Sequence, residues 1–285
     1  NTNVSGWDDI KVPANWEVEG FGVPIYVNHQ YEFADYKAPI ADDMKFVDKI
    51  YPAEPGKVPA NYNPVGSYRR DFNLDKDWDG KEIFLHIGAM KSGGFVWLNG
   101  KYIGYSQGSK LPAEFNITKA AKSGKNTIAL QIFRWTDGSY LECQDFWRIS
   151  GIERSVYVYA QPKVRMVDFE LISILDGAYK NGLLDLHIDL KNHLSKEQKT
   201  QISYKLYDAN KTSIASESKS ISIKDKGTAS FNASISNVKQ WSAEHPNLYT
   251  LTIELKDKKG KVLEATSRKI GFRSVEIKNG LLLVN

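Results

Sequence analysis

Cysteine is almost missing from this sequence. Cys143 is the single thiol in 285 residues, which excludes an intrachain disulfide and a cysteine-rich zinc site. Long apolar runs are missing as well; the longest are short stretches such as GLLLV at 280–284. A membrane-spanning helix needs about 20 apolar residues, so no membrane partner is expected. One-sided charge is also lacking. The formal net charge is +4, and the lysines are interleaved with acids, as in KDKKGKVLE at 256–264. That pattern describes a solvated surface rather than a basic stripe, and no nucleic-acid partner is expected. No GxGxxG, Walker-type loop or GxSxG elbow occurs, which argues against nucleotide cofactors and against a serine-hydrolase nucleophile. The five histidines, His29, His86, His187, His193 and His245, lack metal-ligand spacing.

What is present is ordinary for a soluble chain, with 41% hydrophobic and 25% charged residues. Trp7, Trp16, Trp78, Trp97, Trp135 and Trp147 all precede residue 150, and only Trp241 follows it. Prolines share this bias, with Pro162 and Pro246 alone in the later part. Pro162 follows VYVYA and cannot donate to a sheet ladder, so a domain boundary is expected near Gln161. Period-two segments recur throughout: SYRRDFNL at 67–74, EIFLHIGA at 82–89, NTIALQIFRW at 126–135 and RSVYVYA at 154–160. Asn99-Gly100 between FVWL and KYIGY predicts a two-residue hairpin, because both residues tolerate positive φ. Helical periodicity is nearly absent, and ITKAAKSG at 117–124 predicts at most one short turn. The expected fold is all-β, a jelly-roll β-sandwich over 1–160 followed by an immunoglobulin-like β-sandwich over 161–273. The second domain rests on seven short strands, from VDFELISIL at 167–175 to EATSRKIGF at 264–272, without the usual cysteine pair. A new element starts in VEIKNGLLLVN. The opening NTNVSGWDDI and the abrupt apolar close before Asn285 predict a piece of a longer polypeptide, and the compartment stays open between cytoplasm and periplasm.

Three stretches are more specific than composition: VPANWEVEGFGVPIYVN at 12–28, GFVWLNGKYIGYSQGSKLPAEFNIT at 94–118 and RWTDGSYLECQDFWRISGIERSV at 134–156. In this order they resemble the sugar-binding (galactose-binding-like) domain of the β-galactosidases of glycoside hydrolase family two. WSAEHPNLYTLTIEL at 241–255 and IGFRSVEIKNGLLLVN at 270–285 resemble that family's immunoglobulin-like domain and its junction with the catalytic barrel. The resemblance implies a retaining β-galactosidase acting on terminal β-D-galactosides. Its catalytic TIM barrel would start within 274–285 and pack against both domains. It also admits a homo-oligomeric parent. The chain by itself would be non-catalytic, since the family's pair of carboxyl groups lies in the barrel.

The resemblance carries two substrate-binding residues. Asn28 matches the asparagine that reaches the galactose pocket. Asp145 matches the aspartate that contacts the galactosyl hydroxymethyl group and helps hold a sodium ion. An amide offers donors and acceptors to sugar hydroxyls, and a carboxylate suits both a hydroxyl and a hard cation. Read without the resemblance, both are turn residues. Gln107 and Asp137 match a remote magnesium site of some members, though Asp137 in TDG reads first as a turn residue. Arg134, Arg148 and Arg154 are expected near a domain interface or the barrel, or stacked on neighbouring aromatics. Glu142 is not read as a catalytic acid. The long segment 29–64, dense in Pro, Tyr and Asp, suits the rim of a sugar site, and His29 adjoins Asn28. A second class of function stays open: a free-standing carbohydrate-binding or interaction module, which the aromatic-rich first section would also suit.

Overall fold

The structure is a computed structural model and describes residues 3–27, 31, 33, 56–59 and 63–285. The protein forms two compact units, Asn1–Ala160 and Gln161–Asn285. The first contains β1 (Ala14–Asn15), β2 (Ile25–Val27), β3 (Val65–Leu74), β4 (Glu82–Ile87), β5 (Gly93–Leu98) and β6 (Lys101–Gln107). It continues with β7 (Ala113–Asn116), β8 (Gly124–Phe133), the short helix α1 (Gly138–Leu141), β9 (Phe146–Arg148), β10 (Gly151–Ile152) and β11 (Val156–Gln161).

One sheet has the order β3-β8-β5-β6 and the other β11-β4-β7, a jelly-roll sandwich. Alternation dictates which face is inward. In β4, Ile83, Leu85 and Ile87 join the core, facing Val96, Leu98, Leu130 and Ile132 of the other sheet. Apolar residues and strand period thus agree, and burying each such side chain contributes about 1.5–3 kcal/mol. The Asn99-Gly100 turn forms as the sequence predicts, with φ of 52° and 77° and Leu98 opposite Lys101. At 117–124 the amides of Ala120 and Ala121 both donate to Ile117, giving one turn. Gly124, at φ 76°, then opens β8.

The second unit comprises β12 (Val164–Leu175), β13 (Gly182–Asn192), β14 (Gln198–Tyr207), β15 (Ser213–Ile223), β16 (Lys226–Ile235), β17 (Tyr249–Asp257) and β18 (Val262–Ile270). Sheets β12-β13-β16 and β15-β14-β17-β18 face each other as an immunoglobulin-like sandwich. Leu184, Leu186, Ile188 and Leu190 of β13 all point into the core. Aromatic pairs, Tyr204 with Phe231 and Tyr249 with Phe272, pack edge to face in that core. The last residues form a hairpin, β19 (Val275–Lys278) and β20 (Leu281–Val284), turning at Asn279-Gly280 with both φ positive. Its Ile277, Leu281 and Leu282 side chains are exposed.

Candidate functional site

Two short ribbons stand apart from the sandwich sheets of the first unit. β1 pairs with β10, and β2 pairs with β9 in the register Ile25 to Arg148, Tyr26 to Trp147 and Val27 to Phe146. A buried charge pair holds their base. Glu17 lies 3.3 Å from Arg134, with both side chains shielded from water. Glu17 Oε2 accepts from the Ser150 amide at 2.7 Å. Arg134 Nη2 donates to the carbonyls of Val23 at 3.2 Å and Arg148 at 3.0 Å. One guanidinium therefore joins the residues before β2, the end of β9 and the end of β8. Trp16 packs beside this pair, and Gly66 is required by it: a Cβ there would sit 2.1 Å from the indole ring.

The β2–β9 ribbon displays a compact polar and aromatic group. Tyr26 is 51% exposed and Trp147 55%, their ring centroids 5.7 Å apart. The Tyr26 hydroxyl donates to Asp145 Oδ1 at 2.6 Å. That hydrogen bond, and secondarily the lost hydration and the carboxylate's charge, raises the Tyr26 phenol above its ordinary pKa. The adjacent Phe146 ring is surrounded by cations, Lys91 at 4.8 Å, Arg148 at 5.0 Å and Lys110 at 5.8 Å from its centroid. Chemically, this arrangement offers an oriented carboxylate beside two exposed ring faces, a combination suited to a polyol with one apolar face.

Of the two expected substrate-binding residues, Asp145 lies at this exposed end of the ribbon. Asn28 and His29 lie outside the described residues, as does most of 29–64. Of that segment's described residues, Tyr31, Phe33 and Val58 are packed, whereas Gly56 and Lys57 are exposed. Phe33 and Trp135 form a buried pair flanked by Tyr31, Val58 and Tyr140. Asn63 exchanges hydrogen bonds with the Trp135 backbone at 2.8 and 3.0 Å. Gln107 accepts from the Tyr105 hydroxyl at 2.6 Å, and Asp137 accepts from the Gly138 amide at the start of α1. Glu142 is held by the Ser109 amide and hydroxyl, a structural role. Arg134 lies over Trp135, whereas Arg148 lies over Phe146 rather than the neighbouring Trp147. Arg154 is exposed and donates to the Lys110 carbonyl. Sequence reasoning missed the Glu17–Arg134 pair and the role of Tyr26; the first had no local signal, and the second lay two residues before Asn28.

Among the described residues of this ribbon, Asp145 is the carboxylate that faces outward. Its chemistry suits a hard cation such as sodium. Among the described residues, no group of three or more His, Cys, Asp or Glu side chains is gathered to hold a metal.

Comparison with known proteins bears on the whole chain. Residues 29–162 match the family model described as glycosyl hydrolases family 2, sugar binding domain, and residues 164–273 match the model described as glycosyl hydrolases family 2. A beta-galactosidase of Priestia megaterium is 39% identical over 282 residues, covering 98% of this chain and 26% of that protein. A beta-galactosidase of Halalkalibacterium halodurans is 35% identical, with the same shares. The chain thus spans about a quarter of the length of these curated relatives. Among solved structures, a glycosyl hydrolase family 2 member from Bacteroides cellulosilyticus superposes with a TM-score of 0.72 at 17% identity, over 100% of this chain and 35% of that one. A Bacteroides uniformis beta-glucuronidase superposes with a TM-score of 0.69 at 22% identity, over 79% of this chain and 28% of that one. With two matched models, near-complete coverage and the shared pair of β-sandwiches, the chain belongs to glycosyl hydrolase family 2 and carries that family's sugar-binding domain and the β-sandwich after it.

Proposed function

We propose that this chain is the non-catalytic N-terminal portion of a retaining β-galactosidase that hydrolyses terminal β-D-galactosides. Its role is to present Asp145 and Asn28 to the galactosyl unit, with Asp145 also contributing to a sodium site. The observation that carries this reading is the Tyr26–Asp145 pair: a solvent-facing carboxylate fixed by a phenol on a ribbon whose base is locked by Arg134. Asn28 is the residue after Val27, one peptide step beyond that ribbon. Fixed contacts of this kind act by orienting the substrate rather than by bond-making. Retaining hydrolysis needs two facing carboxyl groups, and these belong to the catalytic barrel proposed to start within 274–285. The sodium part of the proposal requires oxygen ligands beyond Asp145. The substrate assignment draws on the relatives named beta-galactosidase, and the partner of this chain is the barrel of the same polypeptide.

The test uses the 285-residue chain labelled with fluorotryptophan, reading the Trp147 resonance during titration with methyl β-D-galactopyranoside. Half of a divided site binds in the millimolar range or weaker, and Asp145→Ala removes the shift. Replacing sodium by potassium weakens the interaction. The same preparation does not turn over a nitrophenyl β-galactoside. An unmoved Trp147 signal at saturating sugar, or turnover by the pure chain, overturns the reading. Micromolar binding would instead favour a free-standing carbohydrate-binding module, the reading that the exposed Tyr26 and Trp147 rings also permit.

A further inference from the structure

The outer face of the β11-β4-β7 sheet carries a second aromatic assembly. His86 of β4 and Tyr157 of β11 stack nearly parallel, with centroids 4.6 Å apart and planes 18° apart. Beside them Phe84 and Tyr159 stack at 5.3 Å and 20°. Tyr159 donates to Glu114 Oε2 at 2.6 Å, and the same oxygen lies 3.7 Å from His86 Nδ1. Each ring is therefore fixed by a neighbour, so little rotamer freedom would be lost when a ligand settles on the face. Tyr157 remains 49% exposed.

His86 and Tyr157 of this assembly form a wall of a concavity of about 530 Å³, lined also by Pro13, Pro112, Arg154 and Ser155. That volume falls within the roughly 300–1,000 Å³ typical of small-molecule sites. Gly88 makes room for it. Its amide donates to the Ser155 carbonyl at 3.0 Å, and a Cβ on it would sit 2.7 Å from Arg154 Cβ, so the chain leading into β11 lies close against it. Among the described residues, the Tyr157 hydroxyl, His86 Nε2 and Ser155 Oγ have no protein partner, and Arg154 uses one N–H, toward Lys110. By contrast Glu153, at the rim, is occupied by Asn15 and Lys110. The concavity thus combines aromatic and proline faces with uncommitted neutral donors and acceptors. Among the described residues that line it, Arg154 is the one permanent cation, too little for a polyanion.

We infer that this concavity, which Asp145 does not line, is a second carbohydrate site that takes a neutral hexopyranoside. A pyranose ring sets its C–H face on Tyr157 and its hydroxyls toward Tyr157 Oη, Ser155 and Arg154. The inference does not depend on the reading at Asp145.

The experiment uses the 285-residue chain carrying Asp145→Ala, which removes the first proposed site. Saturation-transfer NMR titrations are run with lactose and cellobiose, and with glucuronic acid as a charged comparator. Millimolar, saturable binding of a neutral sugar is expected, unchanged between 50 and 500 mM salt, concentrations chosen as about a tenfold range around the screening regime. Adding Tyr157→Ala weakens it by at least about fivefold through loss of the ring face. Tyr157→Phe keeps the ring and weakens it about two- to tenfold through loss of one hydroxyl partner. Circular dichroism confirms folding of each variant. No saturable binding of either disaccharide, unchanged affinity in Tyr157→Ala, or salt-sensitive preference for glucuronic acid each overturns the inference.

Discussion

Replacing Glu17 by glutamine tests whether a buried charge pair holds the ribbon that displays Asp145. The Glu17 side chain is 0% and the Arg134 side chain 4% exposed, with Oε1 3.3 Å from Nη1. Removing one member of such a pair strands the other charge away from water, at a cost of about 3–5 kcal/mol. Two features favour the lower end. Arg134 keeps the carbonyls of Val23 and Arg148 as acceptors, and the glutamine oxygen can still accept from Ser150. A loss of about 3 kcal/mol from a unit of this size lowers its Tm by roughly 6–12 °C. Thermal and urea unfolding of the chain, followed by tryptophan fluorescence, reads this unit selectively because six of the seven tryptophans precede residue 150. The companion variants are Arg134→Met and the double variant Glu17→Leu with Arg134→Met. If charge pairing is the cause, the double variant removes both stranded charges and falls within about 1–2 kcal/mol of the unmodified protein. Single variants costing less than about 1 kcal/mol, or strictly additive costs in the double variant, would refute the reasoning.

Three further outcomes are expected. Burial, reinforced by the charge of Glu17, pushes the Tyr68 phenol up to about 12, and its oxygen is buried without a hydrogen-bond partner among the described residues. A pKa raised in the folded state contributes stability below the unfolded value near 10 that is lost as pH rises toward 12. Tyr68→Phe should therefore flatten stability between pH 10 and 12 by about 1–2 kcal/mol after solvent screening, read by urea midpoints; an unchanged slope contradicts this. Tyr26→Phe should leave the Tm within about 1 °C, as exposed substitutions do, yet weaken galactoside binding at Trp147 about three- to tenfold, because Asp145 loses its orienting donor. In the second unit, Gly182→Ala places a methyl 2.6 Å from the fully buried Phe272 ring and should cost about 1–3 kcal/mol in urea unfolding.

The strands were legible where one face is buried and the other wet. GLLDLHIDLKN spells out β13 from end to end, because alternation reports burial directly. Asn99-Gly100 was legible because its backbone demand is local. Asp145 could be singled out only through resemblance to a family; by itself it is one more exposed acid. The contacts that position it join residues distant in sequence, Tyr26 with Asp145 and Glu17 with Arg134, and no periodicity encodes such pairs. The His86–Tyr157 stack was hidden for the same reason, since each residue reads as the outward member of an ordinary alternation.

The two ribbons also bear on how the protein acquires its shape. Tyr26 meets Asp145 across 119 residues, and Asn15 meets Glu153 across 138. Closing loops of that length costs entropy before any pairing repays it, while hairpins such as β5–β6 close almost at once. During synthesis, the segment holding Tyr26 must wait until the chain beyond residue 150 has left the ribosome, several seconds at about 5–20 residues per second. The Tyr26–Asp145 ribbon is thus among the last parts of the first unit to assemble, and a nascent chain stalled before β9 would lack the partners of β1 and β2 together with β11, the strand that completes the β11-β4-β7 sheet.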